Sequence, residues 1–188
     1  HVIFDEAHAI EDVASNHFGT SISEAQIEYY LRGLVPTSKS RAAKGFLHSL
    51  TSTSHVPELV SQCIDLVHIC RDNSRVFFDE LIDWKRTNAP SNGRVSTKNI
   101  IENSISSPMR ELGNHLALLR ESIKNDADAV ETAGFAQRAI DMSVSSNMLL
   151  DQSIDGCVYA IEGVPPKHAK VQAKPVLKCM AVDVSSLL

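Results

Sequence analysis

The sequence predicts a mainly α-helical protein, an antiparallel helical bundle with short β-strands at the two ends of the chain. Apolar residues recur at helical spacing through most of residues 21–155. Short runs with strand composition occur instead at residues 2–4 and after residue 156. The connections between the long helices are short, which favours antiparallel packing of neighbours.

The overall composition is that of an ordinary globular protein. The chain has 188 residues, of which 43% are hydrophobic and 22% charged, and its net charge is −5. Strong nucleic-acid binders are usually basic, so any contact with DNA is expected to be local. No apolar run approaches the length of a membrane span and no signal peptide is recognisable, so we expect a cytoplasmic protein without a membrane partner.

The four cysteines match no zinc or iron–sulfur spacing. They stand at Cys63, Cys70, Cys157 and Cys179, and the first two lie two helical turns apart among apolar residues. We therefore expect buried free thiols, as is usual in a reducing cytosol.

The first helices of the predicted bundle have clear start signals. Ser23 and Gln26 form a capping-box pattern, and Pro57 suits the first turn of the longest helix, predicted over residues 57–86. A short helix is predicted near residues 42–50. The first helix has an amphipathic face made of Ile27, Tyr30, Leu31 and Leu34.

Two further helices follow a segment, residues 97–107, that is compatible with either a strand or an irregular structure. One begins at Pro108 and the other covers residues 128–153. The expected buried face of the former is Met109, Leu112, Leu116, Leu119 and Ile123. That of the latter is Val130, Ala133, Ile140, Val144, Met148 and Leu149.

Strand signals return near the carboxyl end. Residues 157–162 and 176–182 have strand composition, a turn-rich loop separates them, and residues 183–188 resemble the start of a helix. The simplest arrangement places both chain ends in one sheet, with the helices inserted between them. Because the chain starts without Met, just before a strand, we expect it to be a fragment of a longer protein.

The first eight residues are the most informative stretch for function. Val2-Ile3-Phe4 predicts a buried strand that delivers Asp5 and Glu6 to the carboxyl edge of a sheet, where open α/β sheets bind ligands. One carboxylate there can hold Mg²⁺ through water and the other can position a nucleophilic water. Two alternatives stay open. Asp5 can be the N-cap of a helix, or His1, Asp5 and His8 can form a metal site of a metal-dependent hydrolase.

The sequence Asp5-Glu6-Ala7-His8 after an apolar strand resembles the Walker B box, motif II, of superfamily 2 helicases. The arrangement of the whole chain is similar to the XPD/DinG branch, specifically the bacterial DinG-like DNA helicases, in which a helical Arch domain is inserted between motifs II and III. The likeness covers residues 5–14 and the Ser23 helix, the segment 156–162, and the segment 181–185. The chain departs from the usual family residues at Ala9, Ala160 and Ala181-Val182, none of which is a Mg²⁺ carboxylate.

The resemblance implies a division into three parts. Residues 1–20 would be the Walker B strand and following helix of a RecA-like helicase domain 1, residues 21–155 the Arch-like insert, and residues 156–188 the strands returning to domain 1. Asp5 would bind Mg²⁺ through water on the ATP phosphates, Glu6 would activate the attacking water, and His8 would couple the nucleotide site to DNA. The cofactors would be ATP and Mg²⁺, and any iron–sulfur cluster would lie outside this chain.

The resemblance also implies ATP-driven DNA unwinding with 5′→3′ polarity and a role in DNA repair, the Arch forming one wall of the passage for the single strand. The chain contains no G-x-x-x-x-G-K-[S/T] sequence, so the 188-residue chain by itself is expected to be catalytically inactive. We expect it to bind single-stranded DNA weakly, and candidate contacts are Arg41, Lys44, Arg71 and Arg75. The basic cluster Lys39, Arg41 and Lys44 is also compatible with ordinary solvated surface.

A rival interpretation is a free-standing helical protein-interaction module with no enzymatic activity, in which the D-E-A-H sequence is accidental. It predicts a self-contained fold whose first strand pairs locally. If the Val2-Ile3-Phe4 strand stays unpaired, its exposed edge is expected to promote self-association.

Overall fold

The computed structural model describes residues 19–37, 45–50, 56–165 and 172–181. The described part is mainly α-helical, as predicted, and also contains a small antiparallel sheet. In chain order its elements are β1 (Thr20–Ser23), α1 (Glu24–Leu34), α2 (Phe46–Leu50), α3 (Pro57–Asn88), β2 (Arg94–Val95), α4 (Ser106–Glu121), α5 (Asp126–Asp151), β3 (Cys157–Glu162) and β4 (Val176–Ala181). None of these helices is both long and apolar enough to cross a bilayer.

The four described strands form one sheet in the order β1-β4-β3-β2, and every neighbouring pair is antiparallel. The predicted strands at residues 157–162 and 176–182 are confirmed, the second ending at Ala181. Strand β1 was not predicted. It pairs with β4 in a register that places Thr20 opposite Cys179 and Ser23 opposite Val176. The predicted strand at residues 2–4 and the predicted helix from residue 183 lie outside the described residues.

Helix α1 starts directly from the sheet. The hydroxyl of Ser23, the last residue of β1, accepts a hydrogen bond of 3.2 Å from the Gln26 amide, as expected of an N-cap. The predicted apolar face is confirmed, because Ile27, Tyr30, Leu31 and Leu34 are all buried. The Tyr30 hydroxyl donates a hydrogen bond of 2.9 Å to the Phe135 carbonyl oxygen, which connects α1 to α5.

Helix α3 is 32 residues long and supplies the largest share of the core. Pro57 occupies its first turn, as predicted, and the apolar stripe is buried against α1, α2 and α4. The helix extends to Asn88, two residues beyond the predicted end, and the Ala89 amide donates to the Lys85 carbonyl oxygen where it stops. The segment 97–107 that follows β2 is irregular up to the start of α4.

Helices α4 and α5 pack antiparallel and in close contact. Ser106 at the start of α4 lies against Ser143 near the end of α5, whereas Gly113 faces Ala136 and Ile140. A methyl group on Gly113 would lie only 2.7 Å from the Ile140 Cδ1 atom and 3.1 Å from the Ala136 carbonyl oxygen. The predicted buried face of α4 is confirmed for its first four members, and Ile123 lies partly buried beyond the helix end.

The predicted buried face of α5 is confirmed at Leu149 and is wrong elsewhere, because Ala133 is exposed and Ile140 and Met148 are only partly buried. Val130 and Val144 were expected to be buried, but their exposed fractions are 73% and 49%. The full set of buried residues is mostly small and consists of Thr132, Phe135, Ala136, Ala139, Ser143, Ser146, Leu149 and Leu150. Close approach to α4 selects small side chains here, so size rather than hydrophobicity decides which face packs.

The buried hydroxyl groups at this interface are all hydrogen-bonded. Ser143 Oγ donates to the Ser106 carbonyl oxygen at 2.8 Å, and Ser146 Oγ donates to the Ser143 carbonyl oxygen at 2.9 Å. Asn147 Nδ2 donates to Ser106 Oγ at 2.7 Å. Because these partners satisfy the polar atoms, the interface can bury serine without the cost of an unpaired group.

The close contact at Gly113 can be tested by comparing two glycine-to-alanine variants, one at Gly113 and a control at Gly134. Gly113→Ala and Gly134→Ala both replace a helix-interior glycine and gain about 1 kcal/mol of helix propensity. At Gly134 the new methyl group meets only ordinary contacts, whereas at Gly113 overpacking against Ile140 costs roughly 1–3 kcal/mol. Urea unfolding should therefore show the Gly113 variant less stable than the Gly134 variant by at least about 1 kcal/mol. Equal stabilities would contradict the close packing.

Candidate nucleic-acid interface

The residues that the sequence assigns to ATP hydrolysis, Asp5, Glu6 and His8, lie outside the described residues, as does His1. The same holds for two of the four candidate DNA contacts, Arg41 and Lys44. Arg71 and Arg75 are described, and both line a groove between α1 and α3. Of the predicted site residues, these two are the ones whose positions the structure describes, and both lie in this groove.

The groove has a volume of about 340 Å³ and is open to solvent on one side. Helix α1 supplies one wall and the middle of α3 supplies the other. Its lining is almost entirely polar and charged, and consists of Glu24, Glu28, Arg32, Thr37, Arg71, Ser74 and Arg75.

Arg71 is buried and holds the two helices together. Its Nε donates to the Glu28 carboxylate at 3.1 Å and its Nη2 donates to the Val35 carbonyl oxygen at 2.8 Å. Only 6% of Arg71 is exposed, so most of its guanidinium faces protein and not solvent. The Val35 contact matters because this residue caps the carboxyl end of α1.

Glu28 joins two arginines. Besides the bond from Arg71, its carboxylate accepts a hydrogen bond of 2.8 Å from Arg32 Nε, one turn further along α1. The ion pair with Arg71 links residues 43 positions apart, so no local sequence pattern indicates it. A charged side chain that is buried needs such partners, which explains why an arginine is tolerated at this position.

Arg75 lies one turn after Arg71 and is exposed. Its Nη1 makes a 3.4 Å ion pair with Asp72 on the same helix face, where both side chains are more than half exposed. An exposed pair of this kind is weak and can be replaced by water or by another anion. Of the two described candidates, Arg75 has the guanidinium that is accessible to a phosphate, and whether either residue contacts DNA stays a prediction.

The charges in the groove largely compensate each other. The three arginines Arg32, Arg71 and Arg75 face the carboxylates of Glu24 and Glu28, and Asp72 lies beside Arg75. A phosphate entering the groove would meet carboxylates as well as guanidinium groups. The arrangement is suited to holding α1 on α3 and offers little net attraction for a polyanion.

The buried thiols and the buried tyrosine of the described core have raised pKa values. Burial raises the pKa of the Cys63 and Cys70 thiols to about 12, and it raises the pKa of Tyr30 well above its usual range. All four cysteines are free thiols, and Cys157 is the one that is not fully buried. Within the described ranges, no three His, Cys, Asp or Glu side chains come together as a metal site.

Comparison with known protein families finds no family model that matches the chain, and comparison with curated proteins finds no match either.

The different surroundings of the two described arginines predict different costs of removal. Arg71→Ala deletes two buried hydrogen bonds of a charged group, and should lower the free energy of unfolding by about 2–3 kcal/mol. Arg75→Ala removes an exposed ion pair with Asp72 and should change the free energy of unfolding by no more than about 0.5 kcal/mol. Circular dichroism during urea unfolding measures both, and a small effect of Arg71→Ala would show that the guanidinium is not held as described.

Proposed function

We propose that this chain is part of an ATP-dependent DNA helicase of the DinG type, with 5′→3′ polarity. Residues 1–20 and 156–188 would belong to its RecA-like domain 1, and residues 21–155 would form an Arch-like insert. The observation that carries the proposal is the sequence Asp5-Glu6-Ala7-His8 directly after the apolar Val2-Ile3-Phe4.

One feature of the fold supports the interpretation of the helical part as an insert. The segments that flank this part in the chain are β1 at residues 20–23 and β3 at residues 157–162, which lie in one antiparallel sheet with β4 between them. The chain thus enters and leaves the helical part at nearby points on one sheet. Domains that are inserted into another domain need their two ends close together, and this arrangement meets that need.

In the proposed enzyme, Mg²⁺ supplies charge neutralisation and orientation of the ATP phosphates. Asp5 would hold the ion through a coordinated water, and Glu6 would orient the attacking water and accept its proton. Two adjacent carboxylates directly after the apolar sequence Val2-Ile3-Phe4 fit these roles, since hard oxygen ligands suit Mg²⁺ and phosphoryl transfer depends mainly on positioning. His8 would couple this site to the DNA-contacting surfaces.

A second candidate function is a helical protein-interaction module without enzymatic activity. The observation that favours it is that the four described strands pair with one another in a single antiparallel sheet, as the strands of a self-contained fold would. In that case the carboxylates at residues 5 and 6 would have no role in hydrolysis.

The two candidates differ in the effect of one substitution. In the complete gene product that contains this chain, Glu6→Gln should reduce single-strand-stimulated ATP hydrolysis by at least about 10²-fold, because it removes the group that activates water. Binding of ATP and Mg²⁺ should persist, because Asp5 is retained.

The matched control is Glu131→Gln, which makes the same change at an exposed position on α5. It should leave hydrolysis unchanged. If the Glu6 variant hydrolyses ATP as fast as the control, or if the unmodified gene product has no ATPase activity, the helicase proposal fails and the interaction module is preferred.

A further inference from the structure

A second cleft, distinct from the α1–α3 groove, lies where α3 ends. It has a volume of about 540 Å³, which is within the size range of ligand-binding pockets. One wall is the last turn of α3 and the other is the segment that contains β2 and leads toward α4. The lining residues are Trp84, Asn88, Pro90, Arg94, Ser96, Thr97, Asn99 and Ile100.

The walls of this cleft are fixed to the sheet and to α5. The turn after α3 is held because the Ile161 amide donates to the Gly93 carbonyl oxygen at 2.9 Å, and Lys85 Nζ donates to the Ile161 carbonyl oxygen at 2.6 Å. Gly93 has a φ of +73°, and a side chain there would collide with the Ile161 carbonyl oxygen. The turn therefore requires glycine in order to approach β3.

The opposite wall of the cleft is held by hydrogen bonds to residues at the end of α5. Gln152 Nε2 donates to the carbonyl oxygens of Val95 and Thr97 at 3.2 and 3.0 Å, and the Asn99 amide donates to the Leu150 carbonyl oxygen at 2.8 Å. A cleft whose two walls are already fixed loses little conformational entropy when a ligand binds.

The segment that builds the cleft is basic in an acidic protein. Residues 84–101 contain Lys85, Arg86, Arg94 and Lys98 and no acidic residue, whereas the whole chain has 18 basic and 23 acidic residues. Among the described residues that line the cleft there is no carboxylate, and none of the ion pairs in the described ranges uses Arg86, Arg94 or Lys98. Arg94 also lines an adjoining hollow, whose lining includes Asp155. Arg94 is the one charged residue of the cleft lining and has no ion-pair partner among the described residues, unlike the arginines of the α1–α3 groove.

The cleft also contains the single tryptophan of the chain. Trp84 is half-buried, packs against the hydrophobic core and contributes to the cleft lining. An indole ring anchored in this way provides a stacking surface for a flat aromatic group. The side-chain amides of Asn88 and Asn99 and the hydroxyls of Ser96 and Thr97 add hydrogen-bonding groups around it.

Positive charge, an anchored aromatic ring and amide groups together match the chemistry of single-stranded nucleic acid, which pairs phosphates with cations and stacks bases on aromatic side chains. We propose that this cleft binds single-stranded nucleic acid, with one base stacked on Trp84 and a neighbouring phosphate paired with Arg94. The choice of single-stranded nucleic acid rather than a free nucleotide as the ligand rests on the proposed function. The proposed contact lies away from Arg71 and Arg75.

The single tryptophan gives a direct assay. Titration of the 188-residue chain with an oligothymidylate of about 12 nucleotides should quench the Trp84 fluorescence, and raising the salt concentration should reverse the quenching. Arg94→Ala should weaken binding about tenfold and reduce the slope of log K against log salt by about 0.7. Thymidine monophosphate at the same nucleotide concentration should produce far less quenching.

Matched variants distinguish binding in the cleft from binding elsewhere on the protein surface. With a fluorescently labelled strand, Trp84→Ala should weaken binding about tenfold, and Trp84→Phe, which keeps a stacking ring, should restore most of the affinity. Tyr29→Ala removes an exposed aromatic ring on α1, and Arg75→Ala removes an exposed arginine of the groove, so both should bind as the unmodified chain does. Thermal unfolding identifies any variant that binds poorly because it is unfolded.

The proposal is overturned if the strand leaves Trp84 fluorescence unchanged, if Arg94→Ala and Arg75→Ala bind alike, or if the mononucleotide quenches as strongly as the strand. These outcomes are independent of the Glu6→Gln assay. Loss of hydrolysis in the Glu6 variant with no binding at the cleft rejects the cleft alone, and binding at the cleft without ATPase activity in the gene product rejects the helicase proposal alone.

Discussion

The antiparallel pairing of β1 with β4 is the constraint on which the rest of the described structure depends. It joins Thr20 to Cys179 across 159 residues, and it sets the position from which α1 leaves the sheet. Helix α1 is then fixed to α3 by the ion pair of Arg71 with Glu28, and the end of α3 is fixed to β3 by Lys85. Each later contact thus builds on the register of one pair of strands.

The helices whose buried faces consist of large apolar residues were predictable from the sequence. In α1, α3 and α4 the spacing of leucine, isoleucine and phenylalanine is regular, and burial follows the spacing. Helix α5 breaks this relation because its buried face includes Ser143, Ser146 and two alanines, whereas Val130 and Val144 face solvent. Close packing against α4, with paired hydroxyls where α5 meets Ser106, favours small residues, and a pattern that counts only hydrophobicity does not detect them.

Strand β1 and the role of Arg71 could not be predicted for a related reason. The sequence of β1 is Thr-Ser-Ile-Ser, which has little strand character of its own, and the strand exists because β4 pairs with it. Arg71 looks from the sequence like one of several surface cations of a helix, and only its contact with the distant Glu28 and Val35 shows that it is buried. Such long-range partners leave no periodic signal.

The charge distribution around the end of α3, in contrast, was visible in the sequence. A window from residue 84 to 101 contains four basic residues, no acidic residue and the single tryptophan, and the structure adds that the walls are fixed and that Arg94 has no ion-pair partner in the described ranges. The described candidate contacts of the sequence analysis, Arg71 and Arg75, lie where Glu28 and Asp72 compensate the charge. Local net charge together with an aromatic residue is the signal on which the proposed strand-binding cleft rests.

In the arrangement proposed above, single-stranded nucleic acid binds the described part of the chain at the end of α3 and not in the α1–α3 groove. Hydrogen exchange of the 188-residue chain, with and without a saturating single-stranded oligonucleotide, tests it most directly because it reports on both surfaces at once. We expect slower exchange in peptides that cover residues 84–100 and unchanged exchange in those that cover residues 28–37 and 71–75. Slower exchange in the groove peptides, with none at residues 84–100, would contradict it.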